Sequence, residues 1–273
     1  MKSRAASLRI GGGGVRNRSF YWWRLMWTAF AFAALGIGGV VLALTVIPAA
    51  TLTVSDKHAR NRRAQSIIRE SFRFYLWLLQ SMGILKLEVI GGDQLRASRG
   101  KLIVANHPTL LDIVILMALL PDAKCVGKRQ LWRNPMLRPV VQAAGYIRND
   151  QEPELLLEKC RETLAAGYNL IIFPEGTRSV PGRPLRFQRG FAHVAIASGA
   201  NLRPVLITCE PLTLVKGEPY YRIPASPPLF RIEVRDEIKA AGYAQGTVGS
   251  RGLRARQLVS HLEADYCKRL NHG

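Results

Sequence analysis

Asn106-His107-Pro108-Thr109-Leu110-Leu111-Asp112 places a histidine five positions before an aspartate. An imidazole titrates near neutral pH, so it can take a proton from a hydroxyl as that hydroxyl attacks carbon. A carboxylate on one ring nitrogen fixes the tautomer and leaves the other nitrogen for the substrate. This is the histidine half of a serine-hydrolase triad, with a substrate hydroxyl in the serine's place. A separation of five is off the three or four of a shared helix face. The pair can meet only if His107-Pro108-Thr109 is a turn leading into a helix, which Pro108 favours. Alone the pattern is weak, since a surface histidine before a helix looks the same.

A second string, Phe173-Pro174-Glu175-Gly176-Thr177-Arg178-Ser179, follows an apolar run and puts an acid, a glycine and an arginine in one turn. Glycine lets backbone approach a ligand, and the arginine fork matches phosphate oxygens. Glu175, Gly176, Thr177 and Arg178 are therefore candidate anion-binding residues. Arg183, Arg186 and Arg189 extend the positive ground. Together the strings describe deprotonation of a hydroxyl beside a bound anion. Neither contains cysteine, and Ser179 lacks a nucleophile-elbow context, so direct transfer without a covalent enzyme intermediate is expected.

The elements that must position these residues alternate. Residues 85–90, 102–105, 124–126, 170–173, 205–208 and 230–234 read as strands, with 146–147 weaker. Residues 112–120, 135–144, 153–166, 190–198 and 253–270 read as helices. The pattern predicts an α/β fold with a mostly parallel or mixed central sheet flanked by helices. Both strings follow apolar strands, and sites in open α/β sheets gather at strand carboxyl ends, so the two are expected to share one crevice.

Residues 25–55 carry no charged side chain. As a helix they would be roughly 46 Å long, against a hydrocarbon core of about 30 Å. One crossing fits, while Gly36, Gly38, Gly39 and Pro48 leave a kinked or re-entrant path open. Lys2, Arg4, Arg9, Arg16, Arg18 and Arg24 precede the segment, and Lys57, Arg60, Arg62, Arg63, Arg69 and Arg73 follow it. That balance sets no orientation. Residues 72–85 are too short to span and are expected to be an amphipathic interfacial helix, or else a core helix. The expected organisation is a basic tail (1–24) containing the glycine run at 11–14, a membrane-associated helical region (25–85) and an α/β domain (86–273).

The net charge of +20 suits an anionic membrane surface or nucleic acid. Tyr21, Trp22, Trp23 and Trp27 cluster at the edge of the apolar segment, as interfacial aromatics do. No nucleic-acid-binding signature accompanies them, so no nucleic-acid partner is expected. Cys125, Cys160, Cys209 and Cys267 are widely spaced and read as small core residues in a reducing compartment. His58, His193, His261 and His272 lack partner spacing, and no metal-ligand cluster is expected.

Four ordered blocks between about residues 85 and 207 resemble the glycerolipid acyltransferase superfamily, bacterial 1-acylglycerol-3-phosphate (lysophosphatidate) acyltransferases in particular. They are residues 106–112; Lys128 to Gly145 with Leu131 and Pro135; residues 173–179, almost letter for letter; and Arg203-Pro204-Val205. The resemblance implies His107 and Asp112 as catalytic residues and a phosphate-binding role for the second string. Lys128 and Arg129 are further candidates to hold phosphate. The acyl donor would be acyl-CoA or acyl carrier protein, with no cofactor or metal, and the acceptor a lysophospholipid. Such donors place the catalytic domain on the cytoplasmic side of the inner membrane. In one place the chain departs from the family: the second block runs Gly145-Tyr146-Ile147-Arg148-Asn149-Asp150, with the family's arginine displaced. Arg148 is the candidate replacement. The same departure is similar to members acting on other acyl chains, such as aryl polyene-type pigment lipids. A non-catalytic basic binding module is the remaining alternative, against which His107, Asp112 and Glu175 weigh.

Overall fold

The computed structural model describes residues 14–219, 221–245 and 250–270. Lys2, Arg4, Arg9, the glycines at 11–13 and His272 lie outside the described residues. Seven strands form one sheet: β1 (Lys86–Ile90), β2 (Leu102–Ala105), β3 (Ala123–Gly127), β4 (Ile147–Arg148), β5 (Asn169–Ile172), β6 (Leu202–Glu210) and β7 (Leu229–Val234). Their order is β1-β7-β6-β2-β5-β3-β4. Every pairing is parallel except β6 with β7. The expected mixed α/β sheet is thus observed. Only β6 is notably longer than its apolar run. Pro204 has no N–H to give, but its carbonyl accepts from Arg235 N at 2.9 Å, so pairing extends back through it.

The helices are α1 (Gly14–Val41), a π turn (Leu42–Val46), α2 (Ile47–Thr51), α3 (Lys57–Ser81), α4 (Gly92–Arg96), α5 (Asp112–Leu119), α6 (Gln130–Arg133), α7 (Leu137–Ala143), α8 (Pro153–Ala165), α9 (Gly190–Ser198), α10 (Ala241–Gln245) and α11 (Arg251–Leu270). Alternation along β2 feeds two cores. Ile103 and Ala105 pack with α3 and α5 on one face, and Leu102 and Val104 with α8, α9 and α11 on the other. On that second face Tyr266 of α11 reaches the seam between β2 and β6. Its hydroxyl accepts from Val205 N at 2.9 Å and lies 2.8 Å from the Val104 carbonyl, to which it donates.

The helix expected at 135–144 is α7, and the short α6 before it was not expected. Asn134 precedes a proline and is extended, as such residues must be. Its side-chain oxygen then accepts from Met136 N at 2.9 Å and starts α7. Residues 72–81 of the stretch at 72–85 belong to the longer helix α3, capped where Asp56 accepts from Ala59 N at 2.6 Å. One face, with Ile68, Tyr75, Leu76 and Leu79, is core. The opposite face stacks Phe74 on Trp77 at 5.6 Å, and both are exposed. The core reading holds for one face, and the other leaves two aromatic rings exposed.

From Phe20 to Thr51 the chain is one helix long and apolar enough to cross a membrane, and little of it is buried. Gly36, Gly38 and Gly39 do not break it. A Cβ on Gly39 would sit 3.0 Å from Val140 and one on Gly36 3.2 Å from Met136, so these two let α7 lie close. Pro48 acts through the turn before it. It cannot bond the Leu44 carbonyl, and the helix widens to a π turn at Leu42–Val46.

Candidate active site

β2 and β5 are neighbours, yet α5 after β2 packs on one face of the sheet and α9 after β5 on the other. Helices leaving in opposite directions open a crevice at the strands' carboxyl ends. Both chemical strings lie there.

His107 sits in the loop after β2, and Asp112 is the first residue of α5, so the loop folds back within five residues. His107 Nδ1 lies 2.8 Å from Asp112 Oδ2. Asp112 is fully buried and also accepts from Thr109 N at 2.7 Å and Thr109 Oγ1 at 2.6 Å. Burial pushes the Asp112 carboxyl upward, while the bonds from His107 and Thr109 favour its anion. With that oxygen accepting from Nδ1, the ring's basic lone pair falls on Nε2. Nε2 has no hydrogen bond among the described residues.

The second string clamps the first. Glu175 Oε1 accepts from His107 N at 2.9 Å and from Ser179 Oγ at 3.0 Å. Ser179 N donates to His107 O at 2.7 Å. His107 is thus held at both backbone ends by one turn. Phe173 stacks on its ring, centroids 4.0 Å apart and planes 18° from parallel. Burial raises the Glu175 carboxyl above its ordinary value, opposed by the bonds from His107 and Ser179. Gly176 has φ +65°, and a Cβ there would come 2.7 Å from Gln188, so the turn needs glycine.

Arg178 adjoins Ser179, but its Nη1 donates to Leu214 O at 2.8 Å and Val215 O at 3.1 Å. Those carbonyls belong to the connection between β6 and β7. Part of the guanidinium therefore holds backbone, and its other donors carry no bond among the described residues. Thr177 is half-buried in the same turn. Lys128 is exposed just past β3, which adjoins β5. Arg148 ends the edge strand β4, and its fork closes on Asp150 at 3.0 and 2.7 Å. At about 4.8 Å per strand that is roughly 14 Å from β2. The structure assembles His107, Asp112, Glu175 and Arg178, and leaves Arg148 apart.

Several supporting residues escape a reading of the motifs. Asn106 turns its amide into β6, accepting from Ile207 N at 2.7 Å and donating to Ile207 O at 2.8 Å. Thr109, Phe173 and Ser179 all touch the dyad, and the signal was their place inside the two strings. The thiols of Cys125, Cys160 and Cys209 are pushed up to about 12 by burial, which keeps them protonated and unreactive at neutral pH. Among the described residues no group of three His, Cys, Asp or Glu side chains gathers as a metal site would.

Residues 86–208 match the Acyltransferase family model, so this stretch is similar to that family. The matched stretch holds both strings. Its curated relatives are named 1-acyl-sn-glycerol-3-phosphate acyltransferases. One from Helicobacter pylori is 33% identical over 54% of this chain and 62% of its own length. One from Cocos nucifera is 29% identical over 55% of this chain and 49% of its own. The chain thus spans about half the length of several of these relatives. The crystal structure of the 1-acyl-sn-glycerophosphate acyltransferase PlsC from Thermotoga maritima shares the fold, with a TM-score of 0.66 at 18% identity over 92% of this chain and 96% of that one.

Proposed function

We propose that this enzyme moves a fatty acyl group from acyl-CoA or acyl carrier protein to the free hydroxyl of 1-acylglycerol 3-phosphate, forming phosphatidate. The observation that carries this is the shared turn: the segment that clamps His107 also bears Arg178, so a proton acceptor and a phosphate ligand stand side by side. In the step itself the hydroxyl oxygen bonds to the thioester carbon while His107 Nε2 accepts its proton. The carbon–sulfur bond breaks, and the proton passes to the departing thiolate. Asp112 stabilises the imidazolium between these events. Glu175 keeps the histidine's backbone in place and takes no proton.

The reaction is placed at the inner membrane, with the catalytic domain on the cytoplasmic side where thioester donors are made. The apolar helix runs back along the domain, touching it through Ala31, Gly36, Gly39 and Ile47. That packing supports a helix held against the domain at the membrane.

A second reading keeps the chemistry and changes the acceptor or the acyl chain, as for a pigment lipid. The pairing of Arg148 with Asp150 favours it, because the displaced arginine is occupied. Purified enzyme given both donors, crossed with phosphorylated and unphosphorylated acceptors, separates the two. Rapid phosphatidate formation supports the first. Poor turnover of lysophosphatidate with either donor overturns it in favour of the second.

A further inference from the structure

Residues 211–228 connect β6 to β7 as a strap beside the crevice. At its start Leu214 O accepts from Leu110 N at 3.2 Å, and Arg178 grips Leu214 and Val215. At its end Pro228 O accepts from Lys86 N at 2.8 Å. Between these points Pro219, Pro224 and Pro227 have no N–H, so the strap is best fastened through its carbonyls. The membrane helix does this. Arg24 of α1 donates through Nη1 to Pro224 O at 3.1 Å and Ala225 O at 3.0 Å, and through Nη2 to Ser226 O at 3.1 Å.

This arginine is 1% exposed, and its Nε has no partner. A buried guanidinium without a carboxylate is expensive, and three carbonyl dipoles are the compensation on hand. An apolar side chain at the same point would suit the helix better, but would leave three carbonyls unbound. Arginine suits this place because its donors spread across successive carbonyls, which one ammonium cannot match.

We propose that Arg24 is a positioning residue for acyl transfer. From the membrane helix it sets the strap, and through Leu214 and Val215 it sets the guanidinium of Arg178. The proposal rests on the reading of Arg178 as the acceptor's phosphate contact, and it links acceptor recognition to the seating of α1 in lipid.

The test compares full-length wild type, Arg24→Met and Arg24→Lys in lipid nanodiscs, by amide hydrogen exchange and by kinetics with 1-oleoylglycerol 3-phosphate. In Arg24→Met, exchange in the strap should quicken while β2 and β5 stay protected. The KM for the phosphorylated acceptor should rise about threefold to tenfold, the effect of one weakened charge-assisted bond. The kcat and the donor KM should change less than about twofold. Arg24→Lys should recover only part of the loss, and carries the comparison alone if Arg24→Met does not fold. Unchanged strap exchange, faster exchange with an unchanged acceptor KM, or equal losses for donor and acceptor would each overturn the proposal. If wild type fails to use the lysolipid, the substrate reading has failed, and strap exchange alone decides the positioning role.

Discussion

Two arginines stand at strand ends and meet different surroundings. Arg178, in the turn after β5, is half-buried and tied across the fold to Leu214 and Val215. Arg148, at the end of β4, closes on Asp150 two residues away, at the sheet's edge. Residue type does not distinguish them; the number of chain segments that converge does. At the crevice the loop after β2, the turn after β5, α5 and the strap brace one another. At the edge Asp150 takes Arg148 and, at 3.6 Å, Arg129, and exposed surface pairs of that kind contribute little.

The largest effect belongs to the centre of the crevice. His107→Ala should lower kcat by about 10³-fold, within the range for loss of a general base, with an unchanged circular dichroism spectrum. Near-normal turnover by the folded variant would remove His107 from the chemistry. Asp112→Asn should cost about 10²-fold, because an amide no longer selects the tautomer that leaves Nε2 basic. Thiol release from the donor measures both.

Next comes the contrast between the arginines. Arg178→Ala should raise the KM for a phosphorylated acceptor by about tenfold and leave an unphosphorylated one nearly unchanged. Equal losses on both acceptors would make Arg178 a fastener of the strap only. Arg148→Ala should stay within about twofold on either, and combining the two should give additive effects. A large, non-additive loss would bring Arg148 into the acceptor site despite its edge position.

The smallest effect is thermal. Burial raises the Glu175 carboxyl, so the folded state holds that proton more tightly than the unfolded chain does. The resulting stability is present below the ordinary glutamate value of 4.5 and is lost as pH rises through the higher folded value. Glu175→Gln should therefore flatten the fall in melting temperature over that interval. Parallel melting curves for both proteins would show that Glu175 is ordinary in its titration.

Much of this was legible in the residues. Strand positions followed from apolar runs between turn residues, and the His107–Asp112 turn followed from a spacing no helix face allows. Glu175 was legible as an acid in a turn, but not as the clamp on the His107 backbone, because that backbone lies 68 residues away. The start of α7 was legible from Pro135, but the single turn of α6 before it was not, because four residues are too few to show a helical period. Arg24 was hidden most completely. Its role depends on carbonyls 200 residues downstream, and carbonyls carry no residue identity.

The Tyr266 hydroxyl bears on when the enzyme comes into being. A ribosome makes the chain from its amino end, so the apolar helix Phe20–Thr51 is made before any strand of the sheet. All seven strands follow, and then α11, whose tyrosine binds Val104 and Val205 on the two sides of the β2–β6 seam. The loop bearing His107 starts two residues after Val104. The apolar helix therefore precedes, in birth order, the bond that finishes the sheet beneath the histidine.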